Sequence, residues 1–173
     1  MIRIDEVFIS SFGKLKDFSF AVNSGFNGIC EKNGYGKTTI AIFIKAMFFG
    51  LGKNRSSKIA ENERKKYTPW ESNEKFGGYI KFTYKDKQYK IERFFGKTQA
   101  GDTFALFDCH NVPNNDFSEN VGFEIFEIDA ESFERCLYGN VTNTLKTGSC
   151  YFNLIILLRT TWIKCHDTEV HEK

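Results

Sequence analysis

The chain contains 173 residues and carries a net charge of +2. This length is enough for one domain with a hydrophobic core, or for a domain plus a tail, and the charge indicates no class of partner. The longest apolar stretch, residues 40–51, spans only about 12 residues, fewer than the ~20 needed to cross a bilayer. The five cysteines form neither a CxxC pair nor a zinc-ligand spacing. We therefore expect a soluble cytoplasmic protein with reduced thiols.

The first fifty residues predict two strands, a third strand, a glycine-rich turn and a helix. Residues 2–9 and 15–22 alternate apolar and polar side chains, as strands with one buried face do. Residues 26–30 are apolar enough for a buried strand. Residues 39–49 are apolar nearly all round and stop at Gly50, which predicts a buried helix.

The turn between the third strand and the helix is a degenerate phosphate-binding loop. Residues 33–39 read Asn-Gly-Tyr-Gly-Lys-Thr-Thr, but the first glycine of the strict pattern is replaced by Glu31. Glycines let the backbone curl so that its N–H groups face phosphate oxygens, and the following helix points its positive end at the same anion. The alternative is a glycine turn before a core helix, in which Lys37 is merely a solvated charge.

The rest of the chain predicts a basic loop, an antiparallel meander, two short helices and a tail. The loop covers residues 50–76. Three strands are predicted over 78–84, 88–95 and 103–108, and helices over 120–126 and 130–138. We expect the acidic residues between 116 and 134 to form solvated helix faces, and Arg93 to lie on an exposed strand face. The order of elements is wrong for a small-molecule kinase.

Five segments together resemble one ATPase family. They are residues 9–18 (Ile-Ser-Ser-Phe-Gly-Lys-Leu-Lys-Asp-Phe), 33–39, 43–51, 61–70 and 128–135. Over residues 1–135 the chain is similar to the SMC-like, SbcC/RecF-related and YhaN-like AAA-domain ATPases of DNA double-strand-break repair. The resemblance implies an α/β P-loop NTPase fold, namely the N-terminal lobe of an ABC-type head with an antiparallel β meander.

The resemblance also implies the ligands and their residues. In the family two heads sandwich two ATP molecules, and head engagement changes how DNA is held. ATP and Mg²⁺ are thus the expected cofactors. The nucleotide-binding residues would be Asn33, Gly34, Gly36, Lys37, Thr38 and Thr39, with the Thr38 hydroxyl as the magnesium ligand. A second head or complementary lobe, DNA and a nuclease are the partners that the family implies.

The family's hydrolytic motifs are absent from the sequence. No apolar strand ends in Asp-Glu, no Leu-Ser-Gly-Gly signature occurs, and no glutamine follows residues 134–135. No catalytic residue is therefore identified. We interpret the chain as an incomplete head, with an ATP-binding lobe over residues 1–136 and a divergent, truncated or frameshifted tail over 137–173.

Three further interpretations stay open. The lobe could be a free-standing module that binds nucleotide or a partner, or a relic without nucleotide function. The basic residues 53–66 could contact DNA phosphates or form an ordinary solvated loop. Arg64 and Lys65 could contact DNA or the nucleotide, or instead take part in packing.

Overall fold

The computed structural model describes residues 2–23, 27, 34–52, 62–69 and 75–138, which form a mixed α/β fold. In these ranges the strands are β1 (Ile2–Phe12), β2 (Leu15–Ala21), β3 (Gly77–Tyr84), β4 (Lys87–Phe94) and β5 (Thr103–Asp108). The helices are α1 (Lys37–Phe49), α2 (Glu63–Tyr67), α3 (Val121–Phe126) and α4 (Ala130–Tyr138). None of these helices combines the length and apolar character that crossing a membrane requires.

The five strands form one antiparallel sheet in the order β2-β1-β3-β4-β5. The predicted meander of β3, β4 and β5 is confirmed. The sequence predicted β1 and β2 as strands, but it did not indicate that β1 pairs with β3, which begins about 65 residues after the end of β1. The pairing of β1 with β3 joins the β1–β2 hairpin and the β3–β5 meander into one sheet.

Helix α1 is buried because protein lies on both sides of it. One side packs on the sheet, where the Phe48 ring meets the Phe82 ring edge-on at 5.5 Å. On its other side lie α3 and α4, and the ring of Phe126 lies 5.2 Å from that of Phe48. Residues 40–48 are all buried, which explains why this helix has no polar face.

The predicted boundaries differ from the structure in the basic loop. We predicted no regular structure over 50–76, yet α2 lies within it. The side chain of Asn62 accepts a hydrogen bond from the Lys65 amide and so caps the first turn, a signal that the sequence did carry. Residue 27 is the one described position of the predicted strand 26–30, and the tail beyond residue 138 lies outside the described residues.

The raised pKa values of three tyrosines predict that the fold loses stability at alkaline pH. Burial raises the pKa of Tyr67 and Tyr89, and a hydrogen bond donated to Glu6 raises that of Tyr79, each from 10.0 to about 12. Between these values the unfolded chain has lost phenolic protons that the folded chain retains, so rising pH favours unfolding. We expect the free energy of unfolding to fall progressively above pH 10.

Tyrosinate absorbance and far-UV circular dichroism, followed together during an alkaline titration, would test this. We expect these phenols to ionise only as the helical signal disappears, and Tyr67→Phe to lessen the loss of stability. Full ionisation of all seven tyrosines near the ordinary value, with the dichroism unchanged, would contradict the prediction.

Candidate nucleotide-phosphate site

The phosphate loop enters α1 through two glycines in left-handed backbone conformations. Gly34 has φ +86° and Gly36 has φ +117°, a region that costs little only for glycine. Gly36 is the N-cap, and its carbonyl accepts the first helical hydrogen bond from the Ile40 amide at 2.9 Å. Of the predicted loop residues, only Asn33 lies outside the described part of the chain.

The loop leaves room for a ligand on one side. Among the described residues, a methyl group added at Gly34 would meet no atom within 4 Å. Thr38, in the first turn of α1, is exposed, whereas Lys37 is buried. The first N–H groups of a helix have no acceptor within the helix, and they carry the positive end of its dipole. Open space, orphan donors, a lysine and an exposed hydroxyl fit a magnesium-bound polyphosphate.

The turn between β1 and β2 packs against this loop. A methyl group added at Gly36 would lie 3.0 Å from Leu15 Cδ2 and 3.2 Å from Lys14 Cε. A Cβ at these distances would crowd two side chains of the turn, and the positive φ of Gly36 is what favours glycine here. On the same side of the loop, the ring of Tyr35 meets that of Phe18 edge-on at 6.4 Å.

Comparison with known proteins finds one family for most of the chain. The family model of the AAA domain matches residues 6–148. The chain belongs to the AAA domain family. No curated protein matches the chain. AAA domains generally bind ATP and Mg²⁺, and the matched range includes the whole phosphate loop. It also extends past residue 136, where we placed the end of the lobe from sequence.

In this AAA domain α1 is tied to two other helices by a partly buried ion network. Lys45, two turns after Lys37, is 5% exposed. Its ammonium group donates to Glu63 of α2, and to Glu134 Oε2 of α4 at 2.7 Å. Burial opposes the charge most strongly, yet the hydrogen bonds to both carboxylates outweigh it and raise the pKa of Lys45. Glu134 is therefore an internal partner, and the acidic stretch is not merely a solvated face.

Arg64 and Lys65, adjacent in α2, have different surroundings. The Arg64 guanidinium is buried and donates to both carboxylate oxygens of Asp102, at 2.7 and 2.8 Å, and to the Gly96 carbonyl at 2.8 Å. These contacts serve packing, one of the roles that the sequence left open for Arg64. Lys65 is exposed. The basic residues 53–61 lie outside the described residues.

Arg93 corrects the sequence analysis. We predicted an exposed strand residue, but Arg93 is 6% exposed and lies on the helix-covered face of β4. Its guanidinium donates to the carbonyl oxygens of Met47, at 3.2 Å, and Glu119, at 2.7 Å, and stacks over the Phe104 ring. Burial lowers the pKa of Arg93 to about 10. The side chain thus binds the end of α1 opposite the phosphate loop, a role that strand periodicity alone could not reveal.

Proposed function

We propose that the chain is the Mg-ATP-binding N-terminal half of an SMC-like, ABC-type ATPase head that acts in DNA double-strand-break repair. The observation that carries the nucleotide part is the pair of left-handed glycines, Gly34 and Gly36, leading into α1 beside open space. Membership of the AAA domain family supports it. The resemblance of residues 1–135 supports the more specific role.

Each residue of the loop has a distinct task in this proposal. Gly34 and Gly36 let backbone N–H groups approach phosphate oxygens, and Lys37 supplies a positive charge to the terminal phosphates. The Thr38 hydroxyl is the magnesium ligand from this chain. Bound Mg²⁺ would supply charge neutralisation between the phosphates.

Binding without turnover is the activity proposed for the chain alone. The sequence contains no strand ending in Asp-Glu and no Leu-Ser-Gly-Gly signature, so it offers neither a carboxylate to activate water nor the group that completes a partner's site. A complementary lobe or second head would have to supply both. DNA and a nuclease are proposed partners on the resemblance alone.

Replacing the loop lysine tests the proposal. We expect the full chain to bind Mg-ATP and Lys37→Ala to weaken that binding about 100-fold, because a charge-assisted contact worth roughly 1.5–3 kcal/mol is removed. Isothermal titration calorimetry measures both affinities, and circular dichroism shows whether the variant is folded.

Lys87→Ala is the matched control, since Lys87 is an exposed lysine at the β3–β4 turn. That turn lies at the opposite end of β1 from the loop, because Tyr84 pairs with Ile2. We expect this variant to bind like the unmodified chain. Absence of Mg-ATP binding by the folded, unmodified chain would overturn the proposed function.

A further inference from the structure

We propose that α2 is a strap that keeps the phosphate loop in its binding geometry, and that Glu63 is the positioning residue that fastens the strap. The inference rests on the proposed function of the loop. In this scheme α2 does not contact the nucleotide. It acts on the loop through the turn between β1 and β2, at residues 13–14. Releasing the strap should therefore weaken Mg-ATP binding while the chain stays folded.

The course of α2 along α1 is the first argument. Its first residue, Glu63, accepts a hydrogen bond from the ammonium group of Lys45 in the third turn of α1. Its last residue, Tyr67, lies beside the first turn of α1, because a methyl group built on Gly13 would be 3.4 Å from both Tyr67 Cδ1 and Thr39 Cγ2. The rise from Thr39 to Lys45 is about 9 Å and the length of α2 is about 7.5 Å. Helix α2 thus runs back along α1 from Lys45 to the phosphate loop.

The grip of α2 on the turn is the second argument. The Tyr67 carbonyl accepts a hydrogen bond from the Gly13 amide at 2.7 Å. The Tyr67 ring is buried and stacks on that of Phe12 at 5.1 Å. On the other side of the turn Leu15 is buried, and its Cδ2 would lie 3.0 Å from a methyl group built on Gly36. Because close-packed interiors transmit displacement, a shift of α2 would reach the glycine that caps α1.

The fastening of the other end of α2 is the third argument. Arg64 donates to both carboxylate oxygens of Asp102, which fixes α2 to the connection between β4 and β5. Glu63 instead binds Lys45, and so joins α2 to the helix that the phosphate loop begins. The geometry of the loop depends on how the turn sits against α1. Glu63 sets that relation, because it fixes the strap to α1 itself.

Calorimetric titration of the full chain with Mg-ATP tests the inference. Glu63→Gln keeps the size of the side chain but removes the charge that binds Lys45, and we expect it to weaken binding about fivefold, at the low end of coupling between sites. Glu134→Gln is the matched control. Its carboxylate binds the same ammonium group, and its side chain is 35% exposed against 26% for Glu63. We expect it to bind within about twofold of the unmodified chain, because its contact with Lys45 does not involve α2.

Amide hydrogen exchange, measured by NMR without nucleotide, reports on the strap itself. The Gly13 amide is bonded to the Tyr67 carbonyl at the end of α2. We expect it to exchange faster in Glu63→Gln than in Glu134→Gln, since local opening of the strap frees this amide. Thermal unfolding should show a similar loss of stability in both variants, because each removes one partner of the same lysine.

The outcomes separate this inference from the proposed function. Unchanged Mg-ATP affinity in Glu63→Gln would overturn the strap and leave the proposed function standing. Equal weakening in Glu63→Gln and Glu134→Gln would also overturn it, because the effect would then come from a general loss of stability. Equal exchange at Gly13 in the two variants would contradict the route through the turn. If the folded, unmodified chain fails to bind Mg-ATP, the proposed function falls and the inference falls with it.

Discussion

Gly78→Ala should prevent the chain from folding, or destabilise it by about 4 kcal/mol or more. A methyl group built on Gly78 would lie only 2.1 Å from the Phe8 carbonyl oxygen, and 3.1 Å from Ile9 Cα. Both are backbone atoms of β1, and they cannot move aside as a side chain can. Since β1 is central to the sheet and pairs with β3 at this point, the strands would have to separate.

The neighbouring Gly77 is also in close contact with backbone, so the close approach is a property of the first two residues of β3. A methyl group there would lie 2.1 Å from the Arg93 carbonyl oxygen of β4, and Gly77 has φ +142°. Strand β3 therefore begins as two glycines inserted between β1 and β4. The register of β1 with β3 shifts between Ile9 and Ser11, which marks a bulge at the same place.

Chemical denaturation monitored by circular dichroism measures this effect. Gly52→Ala is the matched control, because within the part of the chain that the structure describes the nearest atom to a methyl group at Gly52 would be Glu63 Oε2 at 3.9 Å. We expect that control to change the free energy of unfolding by less than about 0.5 kcal/mol. A Gly78→Ala variant as stable as the Gly52→Ala variant would contradict the pairing of Gly78 with Ile9.

Arg93→Met should destabilise the chain by about 2–4 kcal/mol while keeping most of the side-chain volume. The substitution leaves two carbonyl oxygens without their donor, that of Met47 at a buried contact and that of Glu119 at a partly buried one. It also removes the contact with the Phe104 ring. Arg93→Lys should recover only part of the loss, because a single ammonium group cannot reproduce the fork of a guanidinium.

Arg135→Met is the matched control for Arg93. The Arg135 side chain is 69% exposed and lies 3.8 Å from Glu131 one turn earlier in α4, a pair of the kind that contributes little to stability. We expect the denaturation midpoint to move clearly in Arg93→Met and hardly at all in Arg135→Met. Equal midpoints in the two variants would show that Arg93 is not the link between β4 and the end of α1.

The local elements could be predicted because each carries its own signal. The apolar run after the phosphate loop predicted α1, and alternating residues predicted β3, β4 and β5 close to their observed ends. Helix α2 was missed, since its five residues are too few and too polar for a periodic pattern. Its cap, Asn62, was visible in sequence but occurs equally in loops.

In the candidate site, too, some residues could be recognised from the sequence and others could not. Gly34, Gly36 and Lys37 could be recognised because a contiguous motif brings them together. Lys45 could not be assigned, because its surroundings come from segments distant in the chain. A lysine in an apolar helix could be exposed, or buried with carboxylates from α2 and α4, and the local sequence is the same for both.

The sequence by itself determined the glycine-rich turn before α1, the helix that follows it and the antiparallel meander. Each of these depends on residues that are close together in the chain, where spacing alone carries the information. Tertiary structure decided the joining of β1 to β3, the burial of Arg93, and the placement of Lys14 over Gly36. Each of those depends on contacts between distant segments, whose formation reflects the packing of the whole core rather than any local preference.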